Sequence, residues 1–202
     1  MLKITRALTP TLSLIFGLIC FLVSLPSHAD APNWDYLEGG YAHQTDTGFS
    51  AHGPSATFAW ALGDNFSFLA DYTHLLASTG NQDQYDAGVV VHGQVQPDQD
   101  LALVLLWRGQ ELNPIGGERV KQNGYAGGLV YKVQANNWLQ VQTGFLHDKN
   151  QSNQSNDNRI LIGLLFSVTD SLGFSVSLQH LNVGGNQWFG GIRYSFGTDD
   201  SQ

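Results

Sequence analysis

Gln187-Trp188-Phe189-Gly190-Gly191-Ile192-Arg193-Tyr194-Ser195-Phe196 alternates two kinds of residue along its whole length. Trp188, Ile192, Tyr194 and Phe196 share one face, while Gln187, Gly191, Arg193 and Ser195 share the other. A period of two is the signature of a β-strand with one apolar side. One such strand decides little by itself, so the question is whether the preceding chain supplies partners for both of its edges.

It does. Ten segments of about ten residues alternate in the same way, at 34–43, 49–62, 65–75, 83–95, 100–111, 121–133, 137–148, 157–168, 171–181 and 186–196, each bounded by Gly, Asn, Asp or Gln. Compact turns are expected at Gly63-Asp64-Asn65, Gln96 to Asp100, Gln134 to Asn137 and Thr169 to Ser171. Longer polar links are expected at Gln44 to Gly48, Leu76 to Asp83, Leu112 to Lys121, Asp148 to Asp157 and Asn182 to Gly185. Short turns at one end and longer loops at the other are the asymmetry of an all-β, antiparallel, up-and-down transmembrane β-barrel. We expect ten strands, with eight as the alternative if two weak segments are loops.

The apolar face fits a membrane better than a soluble sandwich. Outward Phe58, Trp60, Phe66, Tyr131, Phe166, Tyr194 and Phe196 lie low, whereas Tyr41, Tyr72, Tyr85, Trp107, Tyr125, Phe145 and Trp188 lie six to ten residues higher. At roughly 3.3 Å per residue and a tilt near 40°, the two levels stand about 15 to 20 Å apart, compatible with an apolar band about 25 Å tall between aromatic girdles. A sandwich core has no reason for two such levels. Inward positions are mixed, since Leu106, Leu161 and Leu165 fall among polar neighbours.

Lys3 and Arg6 precede an apolar run from Leu12 to Leu25, and Ser27-His28-Ala29 offers small residues before a cleavage site. We read 1–29 as a secretory signal peptide, because the run falls short of the ~20 residues that span a bilayer. Its removal leaves 7 Lys and Arg against 17 Asp and Glu, a net charge of −10, and no cysteine. Disulfides, thiolate chemistry and cysteine-ligated zinc are thereby excluded, and the acidic balance argues against nucleic acid. Beyond residue 29 no apolar run reaches helix-spanning length, so insertion must be by strands.

Gly191, Tyr194 and Phe196 match in spacing the C-terminal signature of bacterial outer-membrane barrels, Gly-x-x-aromatic-x-aromatic. The opening Trp34-Asp35-Tyr36-Leu37-Glu38-Gly39-Gly40-Tyr41 resembles the start of small proteobacterial barrels, and the chain as a pattern resembles the opacity-protein and OmpX-like class. The resemblance implies a bacterial outer-membrane location, a barrel over 30–196, a short periplasmic tail at 197–202, and recognition of the last strand by the insertion machinery. Phe189 departs from the signature, which has a polar residue there. The class includes adhesins, defence factors and vesicle proteins, so it implies fold and place more than task.

The expected inward charges are Glu38, Asp71, Asp86, Arg108, Lys132, Arg159 and Arg193, with His92 nearby. In a narrow lumen opposite charges are expected to pair, because an isolated buried charge is costly. Glu38 with Arg193, and Asp86 with Arg108, are the two expected pairs. His43, His52, His74, His147 and His180 all have outward parity at the far strand ends, a candidate rim for anionic glycolipid when protonated. Acyl hydrolases of small barrels carry His-x-Ser, and none of the seven histidines here is followed two residues later by serine. The expectation is a non-enzymatic barrel without cofactor or metal, with a structural or surface-interaction role and outer-membrane lipid and glycolipid as partners. Narrow solute passage is the alternative, a lipid-modifying enzyme the second alternative, and any external ligand is unspecified.

Overall fold

A computed structural model describes residues 32–46, 49–151, 156–182 and 185–196. The expected signal peptide, the tail at 197–202 and the centre of the polar loop at 152–155 lie outside the described residues. Ten antiparallel strands follow one another: β1 (Tyr36–Asp46), β2 (Phe49–Gly63), β3 (Phe66–Ala77), β4 (Gly80–Gln96), β5 (Gln99–Pro114), β6 (Val120–Asn136), β7 (Leu139–Asn150), β8 (Asn156–Ser167), β9 (Leu172–Leu181) and β10 (Gly185–Ser195). Each pairs with its sequence neighbours, and β1 pairs with β10, so the sheet closes into a barrel with no free edge.

The end that carries residues 32–35 and Phe196 is here the near end, and the opposite one the far end. Near-end turns are short, two residues at Asp64-Asn65, Pro97-Asp98 and Asn137-Trp138. A register shift sits in β2, β4 and β6 just before each of these turns. The far end differs from expectation. Leu76 to Asp83 is not a loop: β3 and β4 pair up to Ala77 and Gly80. Between β5 and β6 pairing stops at Leu112 and Val120 and the expected link remains, with Asn113 and Pro114 paired to β4 instead. Consequently β4, β5 and β6 run for 17, 16 and 17 residues. Beyond the apolar band both faces of a strand meet water, so the chain loses its alternation without leaving the sheet.

The outer wall is apolar where the strands are longest. Leu101, Leu103, Leu105 and Trp107 on β5 are each more than two-fifths exposed, an arrangement sensible only if lipid covers them. Tyr72 stands opposite Tyr85, and Trp107 opposite Tyr125, in the far girdle. The near girdle includes Trp138 stacked on Phe166, and Phe196 against both Phe58 and Tyr194.

The seam between β1 and β10 explains the departure at Phe189. Gly40 and Gly191 face each other in register, and the Phe189 ring lies over both from inside the lumen. A Cβ on Gly40 would sit 2.3 Å from the Gly190 carbonyl oxygen and 2.8 Å from that ring. The glycines clear the space and the phenylalanine fills it.

Candidate functional site: a tiered lumen

Strand alternation sends every second residue inward, and the interior sorts by height into layers of different chemistry. At the near end the chain before β1 turns into the barrel and places Trp34 across the floor, 5% exposed. Its Nε1 donates to Asp100 Oδ2 at 2.6 Å, and its ring stacks on His92 with centroids 4.9 Å apart. Lys132 Nζ lies 3.2 Å from the Trp34 ring centroid and donates to the Asn33 carbonyl at 3.2 Å. Cation–π attraction of this kind strengthens as water is removed, and Lys132 is only 1% exposed. His92 completes the layer through Asp100 at 3.1 Å and Ser67 at 3.0 Å. Val104, Leu106 and Val130 pack beside Trp34 and narrow the bore further.

The next layer holds the seam pair. Glu38 and Arg193 are opposite in register, and Arg193 Nε donates to Glu38 Oε2 at 2.6 Å. The guanidinium also covers the Tyr36 ring at 4.0 Å. Asp71, opposite Asp86 on the neighbouring strand, accepts from Thr57 at 2.7 Å.

Above it four charges form a ring. Arg108 grips Asp86 through two bonds of 2.8 and 2.9 Å, and Arg159 grips Asp148 at 2.7 and 2.9 Å. The two pairs are cross-linked at 3.4 Å, from Arg108 to Asp148 and from Arg159 to Asp86. Two cations and two anions alternate, so each desolvated charge meets two opposite ones. A cavity of about 160 Å³ lies among these layers, with Leu161 in its wall. A second cavity of about 270 Å³ lies at the far end, and Gln84, Arg108 and Gln187 line both.

The structure thus places all seven expected inward charges on the lumen wall. Within these layers it also brings in two that sequence reasoning missed, Asp100 and Asp148. Both stand at strand boundaries, where parity was not assigned, although extending the alternation of β7 by one step from Leu146 would have turned Asp148 inward. Trp34 was missed as a floor because it was placed within the first strand, whereas β1 starts at Tyr36.

The outer histidines are spread over β1, β2, β3, β7 and β9, and each is bonded to a side chain on an adjacent strand. The partners are Ser50 for His43 at 3.0 Å, Tyr41 for His52, Asp83 for His74 at 2.7 Å, Asn158 for His147 at 2.8 Å and Asn186 for His180 at 2.8 Å. Ser50 is at nucleophile-to-base distance from His43. The other four histidines make the same cross-strand contact with Tyr, Asp or Asn, so the serine reads as one rung in a series. Among the described residues no group of three or more His, Cys, Asp or Glu side chains is placed to hold a metal.

No protein-family model matches the chain, and no curated protein matches it. Among solved structures it is similar to a KdgM porin in complex with disordered oligogalacturonate, with 14% identity, a TM-score of 0.45, and 81% of this chain and 98% of that chain covered. It is similar to a NanC porin at 10% identity and a TM-score of 0.44, covering 80% of this chain and 99% of that one. Ail, the attachment invasion locus protein of Yersinia pestis, follows at 12% identity and a TM-score of 0.37, covering 80% and 97%. A functional reading of this barrel has to come from its own lumen and rims.

Proposed function

We propose that the protein is a non-enzymatic barrel of the bacterial outer membrane, sealed toward the periplasm and working through its external face in a structural or surface-interaction role. The observation that carries this is the floor: Trp34, held by Asp100, His92 and Lys132, lies across the near end. Orientation follows from the charges. Arg119, Lys121 and Lys149, the three exposed Lys and Arg side chains among the described residues, are all at the far end. Cations there suit an anionic glycolipid leaflet, with which the outward histidines would also make contact once protonated. Gly191, Tyr194 and Phe196 support recognition by the insertion machinery, and the opening and closing strands support kinship with the opacity-protein and OmpX-like class.

Conductance in planar bilayers tests the seal. The purified protein, first shown to be folded by heat-modifiable gel mobility, should give no steady open channel. A second reading, narrow passage of small solutes, is favoured by one specific observation: cavities lie both below and above the charge ring, and Gln84, Arg108 and Gln187 line both. Stable openings in the parent protein would favour that reading over ours.

A further inference from the structure

Above the charge ring the lumen widens into the 270 Å³ far-end vestibule, and its wall is a tier of carboxamides. Gln84, Gln110 and Gln122 stand side by side in register on β4, β5 and β6. Gln44 faces Gln187 across the seam, and Gln82 lies one step higher on β4. Some of the tier is self-satisfied, with Gln84 donating to Gln44 at 3.2 Å and Asn150 donating to Gln122 at 2.8 Å. Gln82, Gln110 and Gln187 have no hydrogen-bond partner among the described residues. Gln82 is nevertheless only 6% exposed, so its amide has been taken out of bulk water and aimed at a confined space.

Each carboxamide offers two donors and one acceptor without net charge. The charged residues of the same wall, Arg108, Lys149, Asp148 and Asp157, are two of each sign. Arg108 is already committed to Asp86 and Asp148. An anionic ligand would have to draw Arg108 from those pairs or rely on the exposed Lys149, and in either case would meet Asp148 and Asp157. An apolar ligand would displace water from the amides and leave them unsatisfied, which is costly for each stranded group. A hydroxyl, which both donates and accepts, suits such a wall best. The volume is near the lower end of small-molecule sites, which begin at roughly 300 Å³.

We propose that the vestibule is a binding site for a neutral polyhydroxylated ligand, one or two sugar units in size, entering from the far end. The proposal deepens the surface-interaction reading and rests on it, because the ligand reaches the site from outside the cell.

Saturation-transfer NMR on the detergent-solubilised protein tests it, with maltose, cellobiose and lactose as neutral probes and a glucuronate-containing disaccharide as the acidic one. At least one neutral disaccharide should give saturable transfer, and Gln84→Ala together with Gln110→Ala and Gln187→Ala should weaken it by roughly fivefold or more, the loss of about one net hydrogen bond. Heat-modifiable mobility of the variant shows that the barrel is intact. The idea is overturned if the folded protein gives no saturable transfer from any of the three, if the triple variant binds as well as the parent, or if the acidic sugar binds more tightly. Conductance separates this from the function proposed above. Channels with retained sugar binding would overturn only the seal, and a sealed barrel without sugar binding would overturn only the vestibule.

Discussion

The two halves of the lumen solve the same problem in opposite ways. Toward the near end charged groups are buried and each finds a partner: Glu38 meets Arg193, Asp100 meets Trp34 and His92 through Oδ2, and Lys132 has an aromatic face and a carbonyl, although Asn33 Nδ2 and Asp100 Oδ1 are buried without a partner among the described residues. Toward the far end the side chains of Gln82, Gln110 and Gln187 have no hydrogen-bond partner among the described residues and line a cavity. A buried charge without a counter-charge costs several kcal/mol, whereas an amide beside lumen water loses little. Charge therefore accompanies closure here, and neutral polarity accompanies access.

Substitutions can break this contrast. The largest effect should come from Trp34→Ala, which empties the floor, bares Lys132 and strands Asp100. Loss of a buried tryptophan costs about 3–5 kcal/mol, readable as a lower urea midpoint in detergent, and steady conductance should appear in planar bilayers. If Trp34→Ala unfolds earlier but remains electrically silent, the seal lies in the charge ring instead.

Arg193→Ala comes next. Glu38 would remain buried without its cation, a loss of roughly 3–5 kcal/mol, while Arg193→Ala with Glu38→Gln should recover much of the difference. A double variant no more stable than the single one would show that Arg193 acts through its cover over Tyr36 rather than through the pair. At the seam, Gly40→Ala should cost about 1–3 kcal/mol, as overpacking does, because its new methyl meets the Gly190 carbonyl oxygen and the Phe189 ring. Phe189→Ala in the same chain should not rescue it if the backbone contact dominates.

The smallest effect belongs to the far end. Lys121 is paired with Glu111 at 2.8 Å but is 61% exposed. Lys121→Ala should change unfolding by no more than about 1 kcal/mol, and added salt should shrink even that. A larger loss would mean that the extended β5–β6 hairpin is held by its charges rather than by its backbone ladder.

How far these features were legible beforehand depends on what a period of two can carry. It reports the face of a residue well, which is why Glu38, Asp71, Asp86, Arg108, Lys132, Arg159 and Arg193 could be placed inward and ten strands counted. Height is carried only by register, and register by turns. The link at Leu76 to Asp83 looked like a loop because polar residues dominate it, yet its backbone continues the ladder. Trp34 precedes the regular pattern, so nothing periodic announces that it folds back across the bore. The amide tier was hidden differently: glutamine at an inward position looks like any other polar residue until neighbouring strands set Gln84, Gln110 and Gln122 side by side.

The glycine seam bears on how the barrel comes to exist at all. The Glu38–Arg193 contact joins residues 155 positions apart, so the seam it belongs to closes a far larger loop than any other strand pair, since those join sequence neighbours. Contacts of such separation form slowly, because chain entropy is lost before any interaction compensates it. Phe189 can take its place over Gly40 only after the first and last strands have met, which makes its ring a latch that engages at the end of assembly. A barrel whose seam had not yet closed would still hold nine paired junctions and two open edges, β1 and β10, the state in which a last strand could be exchanged or held by another sheet.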